Sequence, residues 1–275
     1  MKQLTVLVAA ALAFGAAAMP PVQKISVPAG SHHPVLSPDG TTLLFSTDIH
    51  TGLSAMDLGS GEIRVLDRSA GAGFQPVFSQ DGKTVYYRSA SVRDGLMMRD
   101  VRSCKVDAAA APAVLRQASR DNVNLTALSG GDYAVADYRS IRVRRNGTET
   151  NIDPIADSHS YLWASLSPAG DKLLFTEPFE GVYVSKPDGS EPVRLLAKGD
   201  FASWAGDNRF VAVITHDDGY VVLDSKLVLV NVATGIVTDL TPEGFLVGEA
   251  TASASGKVVY TDIEGNMYMI NVNEL

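Results

Sequence analysis

His33-Pro34-Val35-Leu36-Ser37-Pro38-Asp39-Gly40-Thr41-Thr42-Leu43-Leu44-Phe45-Ser46 decides the fold, because the chain keeps returning to it. A short apolar run leads into a serine, a tight polar turn with glycine follows, and a second strand-like run leaves the turn. Pro-Asp-Gly suits that turn. Proline presets φ, the aspartate side chain bonds the backbone ahead of it, and glycine accepts positive φ. Gln75-Pro76-Val77-Phe78-Ser79-Gln80-Asp81-Gly82 repeats the pattern, and so does Trp163-Ala164-Ser165-Leu166-Ser167-Pro168-Ala169-Gly170. Weaker copies span 125–135 around Ser129, 201–214 around Ala205 and 249–261 around Ser253. With the serine position as mark, the copies fall at 37, 79, 129, 167, 205 and 253. The steps of 42, 50, 38, 38 and 48 residues are each about the length of one four-stranded propeller blade.

Two further strand-like runs follow each copy, as at 52–57 and 62–66, or 181–186 and 192–196. Short runs separated by Gly, Pro, Asn and Asp predict an all-β fold. No segment carries a long helical apolar period. The expected architecture is a six-bladed β-propeller. After Ser253 the last unit is one strand short, and 22–27 is the candidate to supply it. That pairing would close the ring and hide two strand edges that otherwise invite aggregation.

The small-apolar inner strand, the Ser-Pro-Asp-Gly turn and the following apolar strand ending in Phe or Tyr plus Ser or Thr resemble the β-propeller repeats of the TolB family. The resemblance covers roughly 22–275 and implies a rigid propeller scaffold. TolB proteins carry a small α/β domain ahead of the propeller. The span from Met19 to Ser37 has no room for one, so a propeller without that domain is expected.

Met1 to Ala18 reads as a secretory signal: Lys2 supplies the charge, 4–17 an uncharged apolar core, and Ala16-Ala17-Ala18 a small-residue cleavage site. Residues 19–275 would then form one propeller domain, periplasmic or secreted, with no membrane insertion once the signal is removed. The chain carries 23 basic and 31 acidic residues, a net charge of −8, which becomes −9 when Lys2 leaves. That balance argues against nucleic acid as a partner. Cys104 is alone and forms no internal disulfide; it is read as a plain buried or loop cysteine in an Ala-rich connection over 101–112.

If strands alternate down and up, the connections into the inner strands share one face with the loops between second and third strands. The Pro-Asp-Gly turns fall on the other face. Four residues before the marks stand His33, Gln75, Leu125, Trp163, Phe201 and Glu249. All five histidines (His32, His33, His50, His159 and His216) are placed on loops of that face, with Asp217 beside the last. The candidate rim is therefore His32, His33, Gln75, His159, Trp163, Phe201, His216, Asp217 and Glu249. An aromatic at a channel mouth can anchor a peptide or a sugar ring, and it can equally fill space between blades. Trp204, Tyr86, Phe175 and Tyr260 are read as core. Asp217-Asp218-Gly219 lacks the spaced oxygen ligands of a calcium loop.

There is no Gly-x-Ser-x-Gly elbow, phosphate-cradling loop, Cys-x-x-Cys pair or His-Glu-x-x-His. The expected function is a non-enzymatic scaffold of the bacterial envelope, without cofactor, that binds an envelope protein or a glycan. The alternative is a metal-assisted polysaccharide lyase or hydrolase. Some propeller lyases with TolB-like repeats hold a metal with several His and a Gln, and His33, Gln75, His159 and His216 form the one set that could imitate them.

Overall fold

A computed structural model describes residues 19–47, 50–107, 111–120, 124–156 and 160–275. The expected signal segment and His159 lie outside the described residues. The fold is a TolB-like six-bladed β-propeller. Its first strand, β1 (Gln23–Ile25), belongs to the last blade. Blade 1 is β2 (His32–Leu36), β3 (Thr42–Ser46), β4 (Thr51–Asp57) and β5 (Ile63–Ala70). Blade 2 is β6 (Val77–Phe78), β7 (Thr84–Arg93), β8 (Leu96–Lys105) and β9 (Ala113–Ser119). Blade 3 holds β10 (Tyr133–Asp137), β11 (Ser140–Arg145) and β12 (Thr148–Ile152). Blade 4 is β13 (Leu162–Leu166), β14 (Leu173–Glu177), β15 (Gly181–Ser185) and β16 (Val193–Leu196). Blade 5 is β17 (Asp200–Trp204), β18 (Arg209–Asp217), β19 (Val222–Asn231) and β20 (Val237–Asp239). Blade 6 is β21 (Val247–Ala252), β22 (Lys257–Asp262) and β23 (Met267–Asn271), with β1 outermost.

The repeated serine earns its place in the turn. Ser37 is buried, its hydroxyl donates to Asp39 at 2.6 Å, and it accepts from the Thr42 amide at 2.9 Å as the next strand begins. Ser79 makes the same two bonds, to Asp81 and from Thr84, and Ser167 makes them to Asp171 and from Lys172. The Ser37 bond leads the causes that hold the Asp39 carboxyl below its usual range. Gly40, at φ 69°, faces the corresponding turn of blade 6; a Cβ there would stand 2.5 Å from the Ser255 hydroxyl. Glycine is required at this junction by space as well as by φ.

β1 runs antiparallel to β23, with Gln23 opposite Met269, Lys24 opposite Tyr268 and Ile25 opposite Met267. Ile25 is buried in a cluster with Leu36, Leu43 and Phe45 of blade 1 and Val259 and Met267 of blade 6. Similar clusters fill the junctions of blades 1 and 2, 3 and 4, 4 and 5, and 5 and 6. Among the described residues, the junction of blades 2 and 3 has none.

Blade 3 departs from the expected repeat. Where an inner strand is expected before Ser129, the chain makes a 3-10 turn at Thr126–Leu128, with Leu125 and Ser129 both in right-handed helical conformation. The cause is local. Asn124 accepts from the Thr126 amide at 3.0 Å, Ala and Leu favour a helical turn over a strand, and Gly130-Gly131 ends the segment. Three smaller corrections follow. Tyr87, not Tyr86, is the fully buried ring of blade 2, because the strand's alternation turns position 86 to the other face. Cys104 lies within β8 opposite Val85, buried, where desolvation pushes its thiol up to about 11. His32, His33 and His216 belong to strands rather than loops.

Candidate binding site at the channel mouth

The inner strands of blades 1, 4 and 5 share one irregularity at their upper ends. Pairing with the second strand skips from His32 to Val35, from Leu162 to Ser165 and from Asp200 to Ser203. In each bulge the first skipped residue is left-handed: His33 at φ 55°, Trp163 at 47° and Phe201 at 55°. Gln75, at the equivalent place in blade 2, has φ 48°. Blade 6 has the same skip, from Val247 to Ala250, around Glu249. A non-glycine residue in this conformation costs on the order of 1–2 kcal/mol, so the repetition marks a position that the fold holds deliberately. The four bulges, and the left-handed Gln75 of blade 2, bring these five residues to one cavity.

That cavity has a volume of about 1150 Å³. His33, Gln75, Trp163, Phe201 and Glu249 line it, joined by Phe74, Arg88, Tyr161, Arg142 and the upper part of β10. The Trp163 and Phe201 rings meet at 5.3 Å between centroids and tilt by 45°, so they bridge neighbouring blades and face the mouth together. Arg88 is buried, and desolvation followed by Arg99 lowers its affinity for its proton. Arg142 pairs with Asp137 at the rim.

Glu249 fixes the seam between blades 1 and 6. One carboxylate oxygen accepts the His33 amide at 2.7 Å, and the other meets His33 Nδ1 at 2.7 Å. Burial alone would raise the Glu249 carboxyl, but the bonds and charge of His33 outweigh it and hold the group below its usual range. The His33 ring stacks on His50 at 4.6 Å with 13° between planes, and His50 meets Phe74 edge-on. Burial, then the neighbouring His33, keeps His50 from protonating at its ordinary pH. His32 lies 6.1 Å from His33, outside the cavity lining.

His216 and Asp217 stand elsewhere. They sit exposed near the tip of the long β18–β19 hairpin, away from the cavity lining. Asp217 and Asp218 are occupied in accepting the amides of Gly219, Tyr220 and Val221, which shapes the tip. Among the described residues, no three His, Cys, Asp or Glu side chains are grouped as metal ligands. Arg88 and Asp137, which the sequence places on loops of this face, line the cavity, whereas Phe74, Tyr161 and the rest of the β10 edge carried no sequence expectation. The signal for the last was the strand-poor Asn124–Gly131 segment.

The same face carries a crown of apolar side chains. Tyr138, Phe179, Tyr220 and Ile263, one on each turn between second and third strands in blades 3 to 6, are 61–95% exposed. The β7–β8 hairpin adds Val92, Leu96 and Met97. Blades 2 and 5, which carry the two longest hairpins, are diametrically opposed in a six-membered ring.

These features define a six-bladed propeller with an elaborated mouth. No family model and no curated protein matches the chain. Solved structures do. A protein from Agrobacterium tumefaciens described as TolB aligns with 90% of this chain and 96% of its own, at 17% identity and a TM-score of 0.58. The virginiamycin B lyase of Staphylococcus aureus aligns with 91% of this chain and 99% of its own, at 10% identity and a TM-score of 0.54. The Cps50 (Swd1) propeller domain of Myceliophthora thermophila aligns with 90% of this chain and 98% of its own, at 10% identity and a TM-score of 0.55. These likenesses establish the fold.

Proposed function

We propose that this chain is an exported, non-enzymatic scaffold of the bacterial envelope whose channel mouth binds a partner protein. One observation carries the reading: at the inner strands of five blades, four of them bulged, His33, Gln75, Trp163, Phe201 and Glu249 line one cavity. The crown of exposed aromatic and aliphatic side chains around it favours a protein over a free sugar, because large apolar area at a rim is what protein partners bury. The leader-like residues 1–18 support export. The lyase alternative draws less support. Its four candidate ligands include His216, which sits on an exposed hairpin, while His33 Nδ1 is committed to Glu249.

The test is capture from an envelope extract by the immobilised protein, compared with Trp163→Ala, Phe201→Ala and Glu249→Lys variants whose folding is checked by circular dichroism. A partner retained by the native protein and lost by the mouth variants supports the reading. Equal capture by all of them overturns it.

A further inference from the structure

Among the described residues the propeller has five inner strands for six places. In blade 3 the described residues at that place form the 3-10 turn at Thr126–Leu128 instead of a strand. Asn124, Leu125 and Thr126 therefore become part of the cavity lining, and Val135, Ala136 and Asp137 of β10 become its wall. β10 and β11 are joined by the two-residue turn Tyr138-Arg139, and Asp137 faces Ser140 across it. In such a hairpin the residues flanking the turn form a hydrogen-bonded pair, and bonded and non-bonded pairs then alternate. Asp137, Val135 and Tyr133 thus bond β11, whereas Ala134 and Ala136 turn their amide and carbonyl groups to the vacant side. Among the described residues nothing bonds to that side. Elsewhere in the ring a second strand has its inner neighbour.

Two further observations bear on the same place. The adjoining inner strand, β6, is only Val77–Phe78, so the gap widens toward blade 2. The junction of blades 2 and 3 is also the one without a buried apolar cluster among the described residues. A strand edge without a backbone partner beside a cavity is a template for an added strand.

We propose that an extended peptide segment of the partner enters the mouth and pairs with β10 as the missing inner strand of blade 3. This rests on the binding reading above and names what is bound. The five existing inner strands define the occupant: small side chains toward the axis, as at Val35, Ser165 and Ser203, alternating with apolar ones such as Leu36, Leu166 and Trp204 that pack between blades. Proline is excluded where the peptide must donate to Ala134 or Ala136.

The chain supplies its own probe. A fluorescent, end-blocked peptide copying residues 200–205 (Asp-Phe-Ala-Ser-Trp-Ala) is titrated against the full protein by anisotropy. Amide exchange at Ala134 and Ala136 is followed by NMR. Saturable binding that slows exchange at those two amides is expected. Two N-methylated peptides, one blocked at Phe201 and Ser203 and the other at Ala202 and Trp204, should differ by roughly tenfold or more in affinity, since only one set faces β10. Ala136→Pro removes a donor from the free edge without touching the β10–β11 ladder, and it should weaken binding by a similar factor. Absence of saturation at millimolar peptide, or equal affinity for both methylated peptides, overturns the proposal; this arm is independent of how the proline variant folds. If Ala136→Pro folds and still captures the envelope partner that the Trp163 and Phe201 variants lose, the strand pairing falls while the binding reading stands.

Discussion

Gln75 and Glu249 illustrate two ways in which single residues set the mouth. Gln75 is exposed and left-handed, so its conformation costs free energy that no packing of its side chain returns. Gln75→Gly should therefore raise stability by about 1 kcal/mol, read as a higher denaturant midpoint with unchanged slope, while removing a polar group from the cavity. Glu249 works through its ion pair. Its folded carboxyl titrates below the unfolded value near 4.5. The contribution is full above that value and is lost as pH falls through the lower folded one. Between about pH 5 and about pH 3 the native protein should lose stability more steeply than Glu249→Gln, and equal slopes in denaturant titrations across that range would contradict the pairing. The sequence placed five of these side chains at one register, because a repeat aligns equivalent positions without any knowledge of distances. It could not reveal the left-handed bulges. His33, Gln75, Trp163 and Phe201 share the left-handed conformation, and no residue type there demanded it.

At the scale of elements, two strands behave differently from their neighbours. β1 is short, yet Ile25 completes an apolar cluster shared by the first and last blades. Ile25→Ala should cost about 2–5 kcal/mol, measured as a drop in the denaturant midpoint. A change under 1 kcal/mol would mean that the closure contributes little. The closing strand was legible because the last repeat stopped one run short and 22–27 lay at the right distance before the first mark. The third blade was legible only as a weak copy. Its serine kept the register, and the turn at that serine still ties to blade 2 through the Gln80 amide and the Ser129 carbonyl. The loss of the strand itself lay in a short stretch of Asn, Leu and Ala, where local preference overrode the repeat.

For the molecule as a whole, the upper face is unequal to the lower one. Turns of Pro-Asp-Gly type hold the lower face compactly, whereas the upper face carries the cavity, the long hairpins and the exposed rings. Replacing Tyr220 and Val221 at the tip of the β18–β19 hairpin with Ser and Gly should leave the melting behaviour within about 0.5 kcal/mol of native, since neither side chain is packed. The same change should weaken capture of the envelope partner, and undiminished capture would remove the crown from the interface. Neither hairpin length nor the opposition of blades 2 and 5 was evident from the repeat, since longer steps between marks do not say which loop has grown.

The pairing of Gln23 with Met269 carries a consequence for assembly. When the chain emerges front end first, β1 appears ahead of every other described strand and its partner β23 after all of them. Bringing such distant segments together costs about 5 kcal/mol of loop entropy, repaid only when the final blade arrives. Throughout that interval the leading strand is a bare edge, and Lys24, which ends up bonded to Asn266, puts on it a charge of the kind that disfavours pairing with a neighbouring molecule.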